Sequence, residues 1–264
     1  MKKLIWLFVI FMLIFFVSCS KKEGSSGEKQ VRIQMYVLPQ VPFSDNLAEL
    51  GKLGNVDFND ILENYKEYNP KKLDKIAFKL GSDIADALVC LKASNVDQLE
   101  KILTNFPDYG EVLGVSNEFL KLSALIRPLI DEKQWKQIEL KLNLYQKKII
   151  NELYNLKSYD YVTMVQFGGW VKGLEDATFI LNKYYNKEGT KVLFNKTLIT
   201  ALVHDVNAIR SDDIKKQKYM KKSIMNLNEI KQIISASDDG YFNKSDIADL
   251  HKLASEITSE FAKE

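Results

Sequence analysis

The chain has 264 residues and a mass of 30.4 kDa, and 46% of its residues are hydrophobic and 27% charged. This composition is typical of a globular protein with a sizeable core, and it excludes collagen-like, disulfide-scaffold and fully disordered chains. The 37 lysines and arginines against 35 aspartates and glutamates give a formal charge of +2. Lys2 and Lys3 lie in a segment that we predict to be removed, so the mature chain would carry 35 charges of each sign. This balance, with only three arginines (Arg32, Arg127 and Arg210), argues against nucleic acid as a partner.

The first 18 residues have the pattern of a secretory signal peptide. Met1-Lys2-Lys3 form a short basic region, and Leu4 to Val17 form an uninterrupted run of 14 apolar residues. That run is short for a bilayer-spanning helix, which needs about 20 residues. It fits the apolar region of a signal peptide, which has about 7–15 residues. We therefore predict that residues 1–18 are a signal peptide.

The residues around the predicted cleavage site, Phe16-Val17-Ser18-Cys19, resemble the lipobox of bacterial lipoproteins. A small residue precedes the cysteine, an aliphatic residue precedes that, and Phe16 stands where leucine is usual. The resemblance implies that Cys19 is lipidated on sulfur, becomes the new N-terminus and is then acylated on nitrogen. Stable anchoring takes at least two acyl chains, because each buried methylene contributes about 0.8 kcal/mol. A diacylglyceryl group on Cys19 would meet that requirement, and the membrane is then a partner through the lipid anchor.

Two other readings of this N-terminus stay open, an ordinary signal peptide cleaved nearby and an uncleaved N-terminal anchor. The lipobox resemblance implies a cell-envelope protein that is lipid-anchored to a bacterial membrane. Ser20 follows the cysteine in place of the aspartate that commonly retains lipoproteins at the inner membrane. The resemblance therefore implies the outer membrane if the cell has two.

Residues 19–43 would comprise the lipidated Cys19, a flexible tether and an extended arm. Ser20–Gln30 is polar, contains glycine and serine and shows no periodicity, which is typical of a tether. Val31–Leu38 alternates loosely, and the prolines that follow favour extended backbone. With Cys19 lipidated, Cys90 is the one remaining cysteine, so no intramolecular disulfide can form. Its apolar neighbours favour a buried small hydrophobe over a reactive thiol.

Residues 44–264 predict a single all-α domain of about eight to ten helices, arranged as a multi-helix bundle or as stacked antiparallel helical hairpins. Caps and prolines set the expected boundaries. Asn69-Pro70 is read as a cap and first helical residue, Ser94-Asn95-Val96-Asp97 as a capping box, Pro128 as a stop and Asn243 as the last cap. The predicted helices are residues 70–91, 94–107, 116–127, 132–156, 158–184, 186–207, 211–234 and 243–261.

The most unusual segment is the glycine-rich stretch of the helix predicted from residue 158. Three glycines inside a helix cost roughly 1 kcal/mol each relative to alanine, so something must offset that cost. Gly169 and Gly173 are four residues apart, which lets a neighbouring backbone or the flat body of a ligand approach closely. Gly81 with Ala85 makes a similar strip in an earlier helix. Close helix packing explains the pattern without a ligand.

The alternative hypothesis for this segment is a ligand cleft. It would lie beside Gly169 and Gly173, be lined by Trp170 and be edged by Asp83 and Lys172.

Other candidate sites have ordinary structural explanations. Residues 235–246 superficially resemble a calcium-binding EF-hand loop with Gly240 at the turn, but Ser235 and Asp246 replace the expected first and last carboxylate ligands. A turn at Gly240 followed by the Asn243 cap accounts for the same residues. His204 and Asp205 are adjacent, and adjacent residues on a helix are not expected to face each other.

We see no catalytic motif, no metal-ligand spacing and no phosphate loop, so we predict no catalytic residue, no metal and no cofactor. The leading hypothesis is a lipid-anchored envelope protein whose helical domain binds or scaffolds an unknown small molecule, peptide or envelope protein. The alternatives are an envelope enzyme whose catalytic groups converge only in the fold and a structural surface antigen. A closed, apolar-lined bundle with no cluster of perturbed ionisable groups would favour binding, and a deep pocket holding several convergent polar side chains would favour catalysis.

Overall fold

The computed structural model describes residues 43–54, 56–63 and 65–263, and this part of the chain is all helical, without a β-strand. The prediction of an all-α fold is confirmed. Ten α-helices have eight residues or more, and two have only four. The helices are α1 Phe43–Gly51, α2 Asn59–Leu62, α3 Leu73–Ala93, α4 Val96–Thr104, α5 Phe106–Leu113, α6 Ser116–Asp131, α7 Trp135–Asn155, α8 Tyr159–Lys183, the 3₁₀ helix Glu188–Leu193, α9 Lys196–Asn207, α10 Asp212–Lys215, α11 Lys218–Ala236 and α12 Lys244–Ala262.

The predicted signal peptide, Cys19, the tether and the arm lie outside the described residues, except for Phe43. The described helices belong to one compact unit. None of these helices combines the length and the apolar character needed to cross a bilayer.

Helices α3 and α8 form the centre of the fold and pack along each other. Every residue of α3 from Asp74 to Leu91 is buried, which explains why apolar residues occur on all sides of this helix. Helix α12 packs on α8 and α11. An aromatic cluster joins these elements, because the ring of Phe78 stacks on that of Phe261 at 3.8 Å and meets that of Phe167 edge-on at 5.4 Å. All three rings are fully buried, so this cluster is a principal part of the core.

Side-chain caps set several of the predicted boundaries. Asn95 accepts a hydrogen bond from the backbone N–H of Gln98 at the start of α4. The predicted capping box that begins at Ser94 is wrong, because Ser94 ends α3 in the left-handed conformation and the cap is the next residue. Asn243 accepts from the N–H groups of Ser245 and Asp246, and the Asp246 carboxylate accepts from the N–H of Asn243. The predicted Asn243 cap of the last helix is confirmed as a capping box.

Two predicted boundaries at prolines are wrong. Helix α3 begins at Leu73 rather than Pro70, because the preceding residues run as non-helical chain that places Tyr65 and Tyr68 over the Lys79 ammonium. Helix α6 continues one turn past Pro128. A proline in the last turn removes only one helical hydrogen bond, and burial of Ile130 favours the extra turn.

Three predicted segments are each divided. The segment 94–107 contains α4 and the start of α5, 186–207 contains the 3₁₀ helix and α9, and 211–234 contains α10 and most of α11. In the second of these, Asn195 caps α9 by accepting from the N–H of Leu198, which separates α9 from the 3₁₀ helix.

Candidate functional site: an apolar cavity beside the α3–α8 contact

A cavity of about 620 Å³ lies against α3 and α8, within the size range of small-molecule sites. Helix α1 and the segment from the 3₁₀ helix to the start of α9 complete its wall. Most of its lining is apolar. The lining residues are Asn46, Glu49, Lys52, Leu53, Gly81, Ile84, Ala85, Leu88, Gln146, Gln166, Gly169, Trp170, Gly173, Leu174, Ala177, Glu188, Gly189, Lys191, Val192, Leu193, Phe194, Asn195 and Leu198.

The α8 side of the cavity is a single helical stripe. Gln166, Gly169, Trp170, Gly173 and Ala177 recur at intervals of three and four residues, and all of them line the cavity. The two glycines leave the wall without side chains between Gln166 and Ala177, apart from the Trp170 indole and Leu174 beside them. A flat or slender ligand could therefore approach the α8 backbone closely at this point.

The glycines also permit the close contact between α3 and α8. A Cβ atom built on Gly81 would lie 1.9 Å from the carbonyl oxygen of Val165, and one built on Gly168 would lie 1.9 Å from that of Phe78. A Cβ on Gly169 would lie 3.2 Å from the Gly81 carbonyl oxygen. Helix packing thus explains Gly81 and Gly168 fully. Gly81 and Gly169 take part in both the helix contact and the cavity wall.

Gln166 is the buried polar residue on the cavity wall. This residue is 8% exposed, and within the described part of the chain its amide makes no hydrogen bond. Buried polar side chains nearly always have a partner, so an unpaired amide facing a cavity points to a ligand or ordered water. The half-buried Gln146 amide and the Trp170 indole N–H also line the cavity without a hydrogen bond to described residues.

Charged side chains occur only at the opening of the cavity, as far as the described residues show. Lys52 pairs with Glu49 at 2.5 Å and Lys191 with Glu188 at 3.3 Å, and each of these four side chains is more than half exposed. The cavity interior therefore offers no buried counter-charge to an ionised ligand.

Of the five residues predicted to form a ligand cleft, the structure brings together Gly169, Trp170 and Gly173 on the cavity wall. Asp83 and Lys172 do not line this cavity. They belong to α3 and α8 but lie in a separate interior cluster of charged and tyrosine side chains. The sequence pattern identified the helix stripe but not the direction of its charged neighbours.

Asp83 is fully buried and is held by two donors. The Lys79 ammonium donates to one carboxylate oxygen and the Tyr109 hydroxyl to the other, the latter at 3.0 Å. The same ammonium lies 5.2 Å from the ring centre of Tyr65 and 4.8 Å from that of Tyr68, which is the geometry of a cation–π contact. Burial raises the pKa of Asp83 to about 6, although Lys79 opposes the rise.

Lys172 is surrounded by three carboxylates. It pairs with Asp176 at 2.5 Å, Asp86 at 3.4 Å and Glu175 at 3.5 Å. Burial, reinforced by the two neighbouring carboxylates, raises the pKa of Asp176 to about 8 against the opposing effect of Lys172. Its Oδ2 atom is buried and has no hydrogen-bond partner in the described region. One ammonium among three carboxylates leaves an excess of negative charge, which a proton on Asp176 would reduce.

The remaining candidates have structural roles. Cys90 is fully buried, which confirms its prediction as a buried small hydrophobe. The Nδ1 atom of His204 lies 3.0 Å from the Asp205 carboxylate, so the expectation that these adjacent residues do not meet is wrong. In the segment that resembles an EF-hand loop, Asp246 lies in the first turn of α12, and its carboxylate accepts a hydrogen bond from the backbone N–H of the Asn243 cap. No cluster of three potential metal-ligating side chains occurs in the described ranges.

Sequence reasoning missed Gln166 and the α1 wall. Gln166 could have been found, because it interrupts an apolar stripe three residues before Gly169 and seven before Gly173. No sequence signal places Asn46 or Leu53 of the α1 region against α8, because their spacing along the chain from that helix exceeds 100 residues.

Comparison with known proteins finds no matching family model, no similar curated protein and no similar solved structure.

Proposed function

We propose that this protein is a lipid-anchored protein of the bacterial cell envelope whose helical domain binds an uncharged, largely apolar small molecule in the cavity beside α3 and α8. The observation that carries the binding proposal is the amide of the mostly buried Gln166, which lies on a largely apolar wall and makes no hydrogen bond to the described residues. The lipobox resemblance at Cys19 supports the anchoring.

The chemistry of the wall limits the ligand. An apolar body would fill the space between the glycine strip and the 3₁₀ helix, and a hydrogen-bonding group would pair with the Gln166 amide. A charged group would be stabilised only at the opening, beside Lys52 or Lys191. A cavity of this size holds a molecule of a few hundred daltons.

Binding is favoured over catalysis by the location of the ionisable groups. The bundle does contain buried carboxyls whose pKa is raised by burial, but none of them lines the cavity; they are Asp83, Asp86, Asp176 and Asp205. General acid–base catalysis requires a titratable group within hydrogen-bond reach of the ligand. The amides and indole on the wall orient a ligand but do not transfer protons near neutral pH.

Two variants test the binding proposal by native mass spectrometry of the protein extracted from membranes. Gln166→Leu keeps the side-chain volume and removes the unpaired amide, so we expect loss of the retained ligand together with an unchanged or higher unfolding temperature. Val192→Trp narrows the cavity and should also abolish retention. Val112→Trp, at a 49% exposed position that does not line the cavity, is the matched control.

We expect the unsubstituted protein and Val112→Trp to retain a bound molecule of the same mass. We expect Gln166→Leu and Val192→Trp to lose it. Absence of any bound mass other than detergent, or equal retention in Val192→Trp, contradicts the proposal.

Anchoring is tested separately by metabolic labelling with a fatty acid. We expect Cys19→Ala to lose the label and to appear in the soluble fraction. Cys90→Ala, which changes the fully buried cysteine, should keep the label. Recovery of a labelled Cys19→Ala protein, or of the unsubstituted chain from the cytoplasm with Met1 in place, would show that the anchor assignment is wrong.

A further inference from the structure

Exposed large apolar side chains are concentrated in one part of the described chain. Nine such residues are exposed in all, and six of them lie between residues 112 and 156. The six are Val112, Leu125, Leu140, Leu144, Tyr154 and Leu156. Single exposed leucines are ordinary, but a concentration on neighbouring elements marks an interaction surface.

Helix α7 carries the best-defined part of this surface. Its inner face buries Ile138, Leu142, Tyr145, Ile149 and Leu153 against the fold. On its outer face Leu140 is 55% and Leu144 50% exposed, and the two lie four residues apart, one turn above the other. These two leucines do not contribute to the core, because the inner residues of α7 are the ones that pack against the fold.

The charges that flank the two leucines have one sign. Lys136 and Lys147 continue the outer stripe at helical spacing on either side of Leu140 and Leu144, and both are exposed. Lys148 is exposed beside them. Neither glutamate of α7 is among its exposed residues, and Glu139 is turned aside to pair with Lys92 at 3.6 Å. Every exposed charge on α7 is therefore a lysine, although the mature chain as a whole is close to neutral.

We propose that this outer face of α7, defined by Lys136, Leu140, Leu144 and Lys147, docks on an anionic lipid surface. The leucines enter the headgroup region and the lysines pair with lipid phosphates, as in interfacial amphipathic helices. A second copy of this chain does not fit the same face, because a symmetric contact would place lysines against lysines. This inference is independent of the cavity ligand, and it concerns the domain itself rather than the N-terminal anchor.

The test places a fluorophore on the stripe in the full chain reconstituted into vesicles. Leu144→Cys carries an environment-sensitive label, and Met225→Cys, at a 64% exposed position on α11, is the matched control. The unsubstituted chain, labelled in the same way, gives the background from Cys19 and the buried Cys90. Circular dichroism checks that each variant folds.

We expect the label at position 144 to shift to shorter wavelength and to be quenched by brominated lipids in vesicles containing phosphatidylglycerol. Pure phosphatidylcholine vesicles should give a small shift or none, and position 225 should give none in either. Adding Lys136→Gln and Lys147→Gln should lower the ratio of docked to free domain about 30-fold, because each lysine at an anionic surface contributes about five-fold.

Equal signals at the two positions, or equal signals in the two kinds of vesicle, would overturn the proposal. Shielding of position 144 from a water-soluble quencher in intact envelopes but not in phosphatidylglycerol vesicles would also overturn it, since the occupant would then be a protein. If the anchor proposal is wrong, the amount of protein bound to the vesicles changes, but the difference in fluorescence between positions 144 and 225 does not. Failure of the anchor proposal can therefore be distinguished from failure of the docking proposal.

Discussion

The glycine contact between α3 and α8 makes a quantitative prediction, because the two helices approach too closely for a side chain. Gly168→Ala would place a Cβ atom 1.9 Å from the carbonyl oxygen of Phe78, on the backbone of α3. Ordinary contact for such a pair begins at about 3.4 Å, so the helices must separate by roughly 1.5 Å. A backbone carbonyl inside a buried helix cannot swing aside as a flexible side chain can.

The cost of that separation falls on the most extensive helix contact of the fold. A gap of about 1 Å already forfeits a quarter to a half of each van der Waals contact across the interface, and overpacking typically costs 1–3 kcal/mol or more. The higher helix propensity of alanine offsets about 1 kcal/mol of this. We therefore expect Gly168→Ala to lower the free energy of unfolding by about 2 kcal/mol, and Gly81→Ala, which meets the Val165 carbonyl oxygen at 1.9 Å, to do the same.

Two other glycines should show smaller losses of unfolding free energy when replaced by alanine. A Cβ on Gly169 would lie 3.2 Å from the Gly81 carbonyl oxygen, so Gly169→Ala should cost about 1 kcal/mol. A Cβ on Gly51 of α1 would make only an ordinary 3.8 Å contact with the Phe58 ring, so Gly51→Ala should be neutral to within about 1 kcal/mol. Urea unfolding followed by circular dichroism measures all four variants. If Gly168→Ala proves as stable as Gly51→Ala, the α3–α8 contact is not as close as described and the argument fails.

Three further predictions concern single side chains. The folded pKa of Asp176, about 8, lies above its unfolded value near 3.9, so the folded state binds the extra proton and loses stability as pH rises between these values. Relative to the unsubstituted protein, Asp176→Asn should become steadily more stable as the pH rises from about 5 to about 7 in urea unfolding, and a constant difference would contradict the assignment. Burial also raises the pKa of the Cys90 thiol, so a thiol reagent should titrate no Cys90 in the folded protein; in urea it should titrate one thiol per chain, or two if Cys19 is unmodified. Asn243→Ala removes the cap of α12 and should cost about 1 kcal/mol, measured by thermal unfolding; Asn228→Ala, in the interior of α11, makes the same substitution away from a cap and should cost less.

The sequence predicts the helical class and several helix starts because those features depend on neighbours within one turn. The Asn95 and Asn243 caps are of this kind, since each side chain bonds to a backbone N–H two or three residues away. The C-terminal end of α6 and the start of α3 depend on tertiary contacts instead. Burial of Ile130 and the placement of Tyr68 over Lys79 outweigh the local effect of a proline.

The candidate site was predictable only where one helix carries the pattern. Gly169, Trp170 and Gly173 were found because their spacing defines a stripe on α8. The sequence did not show which way the Asp83 side chain points, because α3 is buried on every side. No polar face distinguishes the side of α3 that lines the cavity from the side that contacts Tyr109. For a helix enclosed by others, periodicity does not identify the neighbour that each residue faces.

The two sides of the α3–α8 pair together explain how the cavity can stay open in a packed protein. On one side the backbone contacts at Gly81 and Gly168 fix how closely the helices approach. On the other, Lys172 of α8 pairs across the interface with Asp86 of α3 at 3.4 Å, so the helices cannot roll on the glycine contact without separating a buried ion pair. Neither wall can therefore move inward to fill the space beside Gly169 and Trp170. An apolar space held open in this way is filled at lowest cost by a ligand, and under the binding proposal the Gln166 amide is the polar group that such a ligand would meet.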